Sequence, residues 1–226
     1  QINQSLGNAD VELFELAKIY LPRGGDLPEE RWMLGLCSGR GLTRVKGVLE
    51  SLAAALRVGR PLAAQPAHVP LLEKGASCTL SLGDVVCGVV GELTKEGLKQ
   101  FGLRSPTTVA ELWIDLVGKS ANFVPQHRSL SPFPAIEQDL NVIVDESVRW
   151  ADLEAAVRGA GGELLESVAY RETYRNAQAD GAGKKRLMFS VQLRSHQATL
   201  TGEQAESVRE AIVAACGTKV GAKLLG

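Results

Sequence analysis

Apolar side chains fall on every second residue across residues 187–193, where Leu187, Phe189, Val191 and Leu193 alternate with Met188, Ser190 and Gln192, Arg194 following in the same phase. A period of two predicts a strand with one face buried and the other free. Residues 139–145 repeat the pattern with Leu140, Val142 and Val144 on one side. Between them the period changes: Trp150, Leu153, Ala156 and Val157 lie on a helical stripe that Gly159, Gly161 and Gly162 bring to a stop. Residues 165–174 read as a strand. Thr201 with Gln204 three positions later forms a capping box ahead of Ala205, Val208, Ile212 and Val213 at helical spacing, and Val220, Ala222 and Leu224 alternate in a last short strand. The predicted order is β-α-β-β-α-β, with two helices on one face of a sheet and the other face open.

The first half reads differently. Residues 12–22 are apolar on both faces, as a central sheet strand requires. Residues 32–37 read as another buried strand, closed by Ser38-Gly39. A helix is predicted over 43–56, with Val45, Val48, Leu49, Leu52 and Leu56 inward. Gly59, Pro61, Pro66 and Pro70 make 57–70 a surface loop. Residues 78–82, the turn Gly83-Asp84 and 85–90 form a hairpin that runs into Gly91-Glu92-Leu93. A short helix over 94–101 and a closing strand over 110–116 follow. The pattern breaks between Gly118 and Gln126, and Pro125, Pro132 and Pro134 keep the next stretch extended. Two domains are therefore expected, residues 1–122 and 128–226.

Twenty-five Lys and Arg against 26 Asp and Glu give a net charge of -1, so the chain as a whole exerts no bulk attraction on nucleic acid and any RNA contact must come from local patches. A hydrophobic content of 45% suits two modest cores. No stretch is apolar enough to span a bilayer and no secretory pattern opens the chain. Cys37, Cys78, Cys87 and Cys216 lack zinc-site spacing and read as reduced, buried thiols of a cytoplasmic protein; His68, His127 and His196 have no carboxylate or thiol companions at metal spacing. Asp139 and Asp145 share a strand face and read as turn caps rather than an acid/base pair. A nucleophile elbow, a phosphate loop and an Arg-bearing class II ATP motif are all absent from the sequence, so no catalytic or metal-binding residue is assigned.

What is left is one basic and polar surface. Lys184, Lys185 and Arg186 open a strand where they would meet phosphates, or would simply be solvated at a turn. Arg175 stands in the same position. Asn141, Met188, Ser190, Gln192 and Arg194 would line the open sheet face with Ile143, whether for base edges or for water. Tyr174 would stack on an unpaired base or pack at a strand end.

Several motifs in this order resemble a known family. Ser131-Pro132-Phe133-Pro134-Ala135-Ile136, Asp139-Leu140, Tyr174-Arg175, Gly183-Lys184-Lys185 and Thr199-Leu200-Thr201 resemble the ferredoxin-fold anticodon-binding domain that closes the beta subunit of bacterial phenylalanyl-tRNA synthetases. Gln138 stands where that family usually has Arg, and Arg171 and Thr173 where it has apolar residues. The run from Glu12 to Pro22, the pair Lys46-Gly47 and Gly91-Glu92-Leu93 are similar to the C-terminal part of the same subunit's catalytic-like module, although Glu73-Lys74-Gly75-Ala76-Ser77 lacks the family's Arg.

The resemblance implies an α/β (α+β) protein in which a class II synthetase-like, mostly antiparallel sheet precedes a ferredoxin-like βαββαβ domain. It implies a C-terminal fragment, in keeping with a start on Gln-Ile-Asn-Gln. The first domain would be a scaffold and subunit interface carrying an apolar patch; the second would engage the anticodon region of a phenylalanine tRNA. Other implied partners are the synthetase alpha subunit, in a heterotetramer of two alpha and two beta, with no membrane and no DNA. ATP and magnesium would serve the parent enzyme, the fragment alone being inactive and free of cofactors. The competing reading is a ligand-sensing ferredoxin-like regulatory domain on an α/β scaffold.

Overall fold

The computed structural model describes residues 2–8, 10–125 and 130–225, so Gln126, His127 and Arg128, where the boundary and the second domain's start were expected, lie outside the described residues. The chain forms two compact units, Gln1–Gln126 and His127–Gly226. Both are built on antiparallel sheets. Among the described residues no helix is long and apolar enough to cross a membrane.

In the first unit the elements run α1 (Ile2–Ser5), β1 (Glu12–Arg23), β2 (Asp26–Ser38), α2 (Leu42–Ala55), β3 (Leu62–Pro66), β4 (Leu72–Leu82), β5 (Val85–Leu93), α3 (Lys95–Gln100), β6 (Thr108–Trp113) and α4 (Ile114–Lys119). The six strands lie in the order β1-β2-β6-β5-β4-β3. Helix α2 forms because its apolar positions recur at helical spacing: Val45 and Leu49 are buried against Leu34, Leu80, Val90 and Leu112 of the sheet. Each fully buried Leu of this kind contributes about 1.5–3 kcal/mol over leaving it in water. Helix α3 is started by Thr94, whose hydroxyl accepts from the Gly97 amide at 3.0 Å.

Four expectations fail here, each for a long-range reason. The strand read as central is the outermost one: β1 pairs only with β2, and Leu13, Phe14, Leu16 and Tyr20 are exposed. Apolarity on both faces does not separate a strand flanked by neighbours from one whose cover lies elsewhere. Strand β2 starts at Asp26 rather than Trp32, after a turn at Gly25 (φ 79), and Trp32 itself is exposed; polar residues lengthen the hairpin through the cross-strand ion pairs Lys18–Glu30 and Arg23–Glu29, each at 2.7 Å. The loop expected over 57–70 contains β3, paired with β4; Pro66 ends this edge strand, where its missing N–H costs little. The closing strand stops at Trp113, and Ile114 to Leu116 belong to α4, where Asp115 accepts from the Trp32 amide at 3.0 Å.

The second unit runs β7 (Ile136–Asp145), α5 (Trp150–Gly161), a 3-10 turn (Gly162–Leu164), β8 (Leu165–Tyr174), α6 (Ala177–Asp180), β9 (Lys184–Leu193), α7 (Gly202–Val220) and β10 (Lys223–Leu224). The sheet order is β10-β7-β9-β8, all antiparallel, which is the ferredoxin-like topology. Its core joins Leu140, Val142 and Val144 to Leu187, Phe189 and Val191 beneath Leu153, Val157 and Ile212 of the two long helices. Trp150 meets Tyr170 and Phe189 at ring-centre distances of 5.5 and 5.7 Å. The α7 capping box is present, with Thr201 Oγ1 accepting from the Gln204 amide at 3.2 Å and Gln204 Oε1 accepting from the Thr201 amide at 3.0 Å. Helix α5 runs through Gly159 and Gly161, and Val220 ends α7 instead of opening a strand. Gly221 (φ 66) supplies the left-handed turn that leaves β10 only two residues.

Candidate nucleic-acid interface

Antiparallel register fixes which side chains share the sheet face away from the helices. Three rows cross it: Asn141, Met188 and Glu172; Ile143, Arg186 and Tyr174; Asp139, Ser190 and Ala169. Outside them lie Asp145 opposite Lys184 and Glu137 opposite Gln192. The face therefore gathers Asn141, Ile143, Met188, Ser190 and Gln192 as the alternation predicted, and Tyr174, Lys184 and Arg186 with them. Lys185 is the exception. It pairs with Val144, on the helix side, so the basic triplet is divided between two faces.

The face is less open than expected. Ser190 is buried: its hydroxyl donates to Asp139 and accepts from Arg171 Nε at 2.6 Å, while Arg171 Nη2 donates to Glu137 at 2.6 Å. Gln192 Oε1 accepts from Ser167 at 3.1 Å. Asp139 and Asp145 cap no turn; they face β9, where Asp145 pairs with Lys184 at 2.7 Å.

Every predicted cation is already engaged. Lys185 Nζ donates to the Glu146 carbonyl at 2.7 Å, and Arg175 forks onto the Glu146 carboxylate at 2.7–3.2 Å. Arg186 Nε and Nη2 each donate to Asp180 at 2.7 Å, and Arg194 reaches Glu166 at 2.9 Å and the Phe133 carbonyl at 2.8 Å. The hydrogen bonds from Arg175 and Arg186 hold the Glu146 and Asp180 carboxyls below their ordinary values, against the upward push of burial, and raise the two guanidinium groups in return. A phosphate arriving here would compete with a carboxylate for each of these cations.

What remains available is a cavity. Asn141, Glu172, Tyr174, Arg186 and Met188 line a space of about 170 Å3. Tyr174 is half exposed, with the Arg186 guanidinium 5.7 Å from its ring centre. Asn141 Oδ1 is buried without a hydrogen-bond partner among the described residues, a costly state unless a ligand or water supplies the donor. Glu172 and Arg171 escaped sequence reasoning because β8 carries an irregularity between Tyr170 and Glu172, which breaks the alternation that would have assigned their face. None of the four thiols lines this cavity. Cys87 and Cys216 are buried, and burial raises all four, Cys216 to about 11, so none is an activated nucleophile.

Comparison with known proteins gives this geometry a family. Residues 131–225 match the ferredoxin-fold anticodon binding domain, and residues 1–114 match the phenylalanyl tRNA synthetase beta chain CLM domain. The chain belongs to the phenylalanyl-tRNA synthetase beta chain family. The phenylalanine–tRNA ligase beta subunit of Rhodopirellula baltica is 38% identical over 226 residues, covering 95% of this chain and 33% of its own length. That of Clostridium tetani is 30% identical over 226 residues, covering 98% of this chain and 28% of its own. The chain thus spans about a third or less of these relatives. Among solved structures, pyrrolysyl-tRNA synthetase from Desulfitobacterium hafniense superposes with a TM-score of 0.41 at 12% identity, over 51% of this chain and 44% of that one, an overlap too slight to add to the assignment.

Proposed function

We propose that this chain is a non-catalytic, C-terminal portion of a phenylalanine–tRNA ligase beta subunit, in which the second unit binds one unstacked base of the tRNA anticodon region in the sheet-face cavity. The observation that carries the reading is the meeting of a stackable ring, Tyr174, with the buried Asn141 Oδ1, which has no hydrogen-bond partner among the described residues, at a cavity that the exposed Glu172 carboxylate also lines. A carboxylate accepts two parallel hydrogen bonds, and the base edge that offers two adjacent donors is the N1–H and N2–H of guanine. The neutralised cations around the cavity support a contact to the base over contacts to the phosphates. A ligand-sensing regulatory domain would use the same cavity for a small molecule, but the family assignment favours RNA.

The first unit would serve as scaffold, its exposed apolar strand β1 meeting another part of the enzyme. The parent would be a cytoplasmic heterotetramer of two alpha and two beta subunits. Aminoacylation with ATP and magnesium would be performed by the alpha subunit. Among the described residues no three His, Cys, Asp or Glu side chains converge as metal ligands, so no step is assigned to a metal in this chain.

The test is Tyr174→Ala in the full ligase, with tRNA affinity measured directly. Loss of a base–aromatic stack is expected to weaken binding by about 1–3 kcal/mol, with phenylalanine activation in the absence of tRNA unchanged. Wild-type tRNA affinity in the variant would remove the cavity from tRNA recognition.

A further inference from the structure

We infer that Asp180 is a positioning residue for the cavity, fixing Arg186 so that its guanidinium forms a rigid wall of donors beside the acceptors of Glu172 and Asn141. The inference rests on the base-binding reading above and adds the device that sets which base edge fits. Asp180 is the last residue of α6, and its side chain is only 1% exposed. The turn that carries it is itself tied down. Asn176 Oδ1 accepts from the Ala179 amide at 3.1 Å, and the Asp180 amide donates to the Asn176 carbonyl at 2.9 Å. The carboxylate is thus held on a capped turn.

Arg186 meets this carboxylate through Nε and Nη2, both at 2.7 Å. Such a fork consumes two of the five guanidinium N–H groups and fixes the plane of the rest. The guanidinium carbon lies 5.7 Å from the Tyr174 ring centre, and Arg186 borders the cavity. The donors left over, those on Nη1 and the second on Nη2, are held in that one plane by the fork, on a residue that lines the cavity. A base carbonyl adjacent to N–H donors finds a donor at Arg186 and acceptors at Glu172. Without Asp180 the guanidinium would be free to rotate and would lose its preference for that edge, although its charge would remain. A purely structural Asp180 would anchor the β8–β9 connection and leave base preference untouched.

The chain has two methionines, and they report separately: Met188 lines the cavity, and Met33 lies in β2 of the first unit. With both methyls labelled, GMP and AMP are titrated into the 226-residue chain. Met188 is expected to shift with GMP at roughly tenfold lower concentration than with AMP, as a bidentate base contact gives, while Met33 stays still. In Asp180→Asn the preference is expected to fall below about threefold with the nucleotide-free methyl spectrum preserved, and Asp180→Glu is expected to restore part of it. Arg186→Lys keeps a charge but removes the planar fork, and is expected to lose the preference equally; it decides the matter if Asp180→Asn does not fold. A wild-type GMP preference retained in the folded Asp180→Asn variant, or in Arg186→Lys, overturns the positioning role and leaves the base reading standing. A wild-type Met188 silent to both nucleotides overturns both.

Discussion

The outer strand of the first unit and the polar face of the second sheet both look away from their own cores, and they are made of opposite materials. Strand β1 presents Leu13, Phe14, Leu16 and Tyr20 at 51–77% exposure, with a cavity of about 450 Å3 beside it lined by Ile2, Val11, Leu13, Cys37 and Leu103. The second sheet presents ion pairs and hydrogen bonds, and the cavity on it is lined by three polar side chains, a tyrosine and a methionine. An uncovered apolar strand edge is a surface waiting for a polypeptide, because water neither hydrates its side chains well nor prevents another strand from pairing with its backbone. A self-neutralised polar face can stand in water, and accepts a ligand only where the pairing leaves something unsatisfied. The first surface thus suits permanent association and the second reversible recognition.

The comparison is tested most severely by asking whether the two units are separate cores. Phe189→Ala removes a fully buried ring from the second unit and is expected to cost that unit about 3–5 kcal/mol. Urea unfolding followed at the Met188 and Met33 methyls is expected to move the Met188 midpoint alone. Equal shifts in both would show a single cooperative structure, and the contrast between two independent surfaces would lose its basis.

Acid is expected to have the next largest effect and to act on both units. Glu12 and Glu29 in the first, and Glu146, Asp152 and Asp180 in the second, are held below their ordinary values chiefly by hydrogen bonds from Arg44, Arg23, Arg175, Arg149 and Arg186. A carboxyl with a lowered folded value contributes its stability fully above the unfolded value, near about pH 4, and loses it as pH falls through the folded one. Thermal midpoints are therefore expected to be level above about pH 5 and to drop on acidification below about pH 4. Added salt is expected to shrink the drop, since all of these pairs except the buried Asp180–Arg186 fork are largely solvent-facing. A midpoint that rises between about pH 4 and 3 would contradict the pairing described.

A smaller change in stability should accompany a visible change in behaviour at β1. Phe14→Ser with Leu16→Lys alters two exposed side chains, and surface changes of this kind stay within about 0.5 kcal/mol each. Sedimentation of the wild-type chain is expected to show concentration-dependent self-association that the double variant reduces. A wild-type chain that remains monomeric up to high concentration would mean that β1 is not the sticky surface its exposure suggests.

Local patterns were readable and distant pairings were not. The capping box of α7 and the alternation of β7 and β9 depend on residues a few positions apart, so Thr201, Gln204, Leu140 and Phe189 were placed correctly by spacing alone. The position of β1 at the sheet edge depends on the order β1-β2-β6, which joins segments some 70 residues apart and leaves no trace in the period of β1 itself. Most of the candidate face was visible as one side of an alternation. Its electrostatics were not: Lys184 and Lys185 find Asp145 and Glu146 at a separation of 39 residues, and Arg186 finds Asp180 across the turn of α6. Sequence shows that a basic triplet exists; only the fold shows that its charge is spent.

The smallest expected effect follows from that last point. Were Lys184 a phosphate contact, Lys184→Ala in the full ligase would lower the salt dependence of tRNA binding by about 0.7 in the logarithmic slope for a single-stranded contact, since one fewer counterion would be released. Its ammonium instead sits 2.7 Å from Asp145 on a largely exposed pair. Such a pair contributes about 0–1 kcal/mol to stability, and an incoming phosphate gains little by displacing a carboxylate of like charge. The slope is therefore expected to stay within error of wild type in Lys184→Ala. In Asp145→Asn, which frees the ammonium, it is expected to steepen. A slope that falls by the full amount in Lys184→Ala would show that tRNA breaks the pair on binding, and the polar face would then act through its phosphate contacts as well as its cavity.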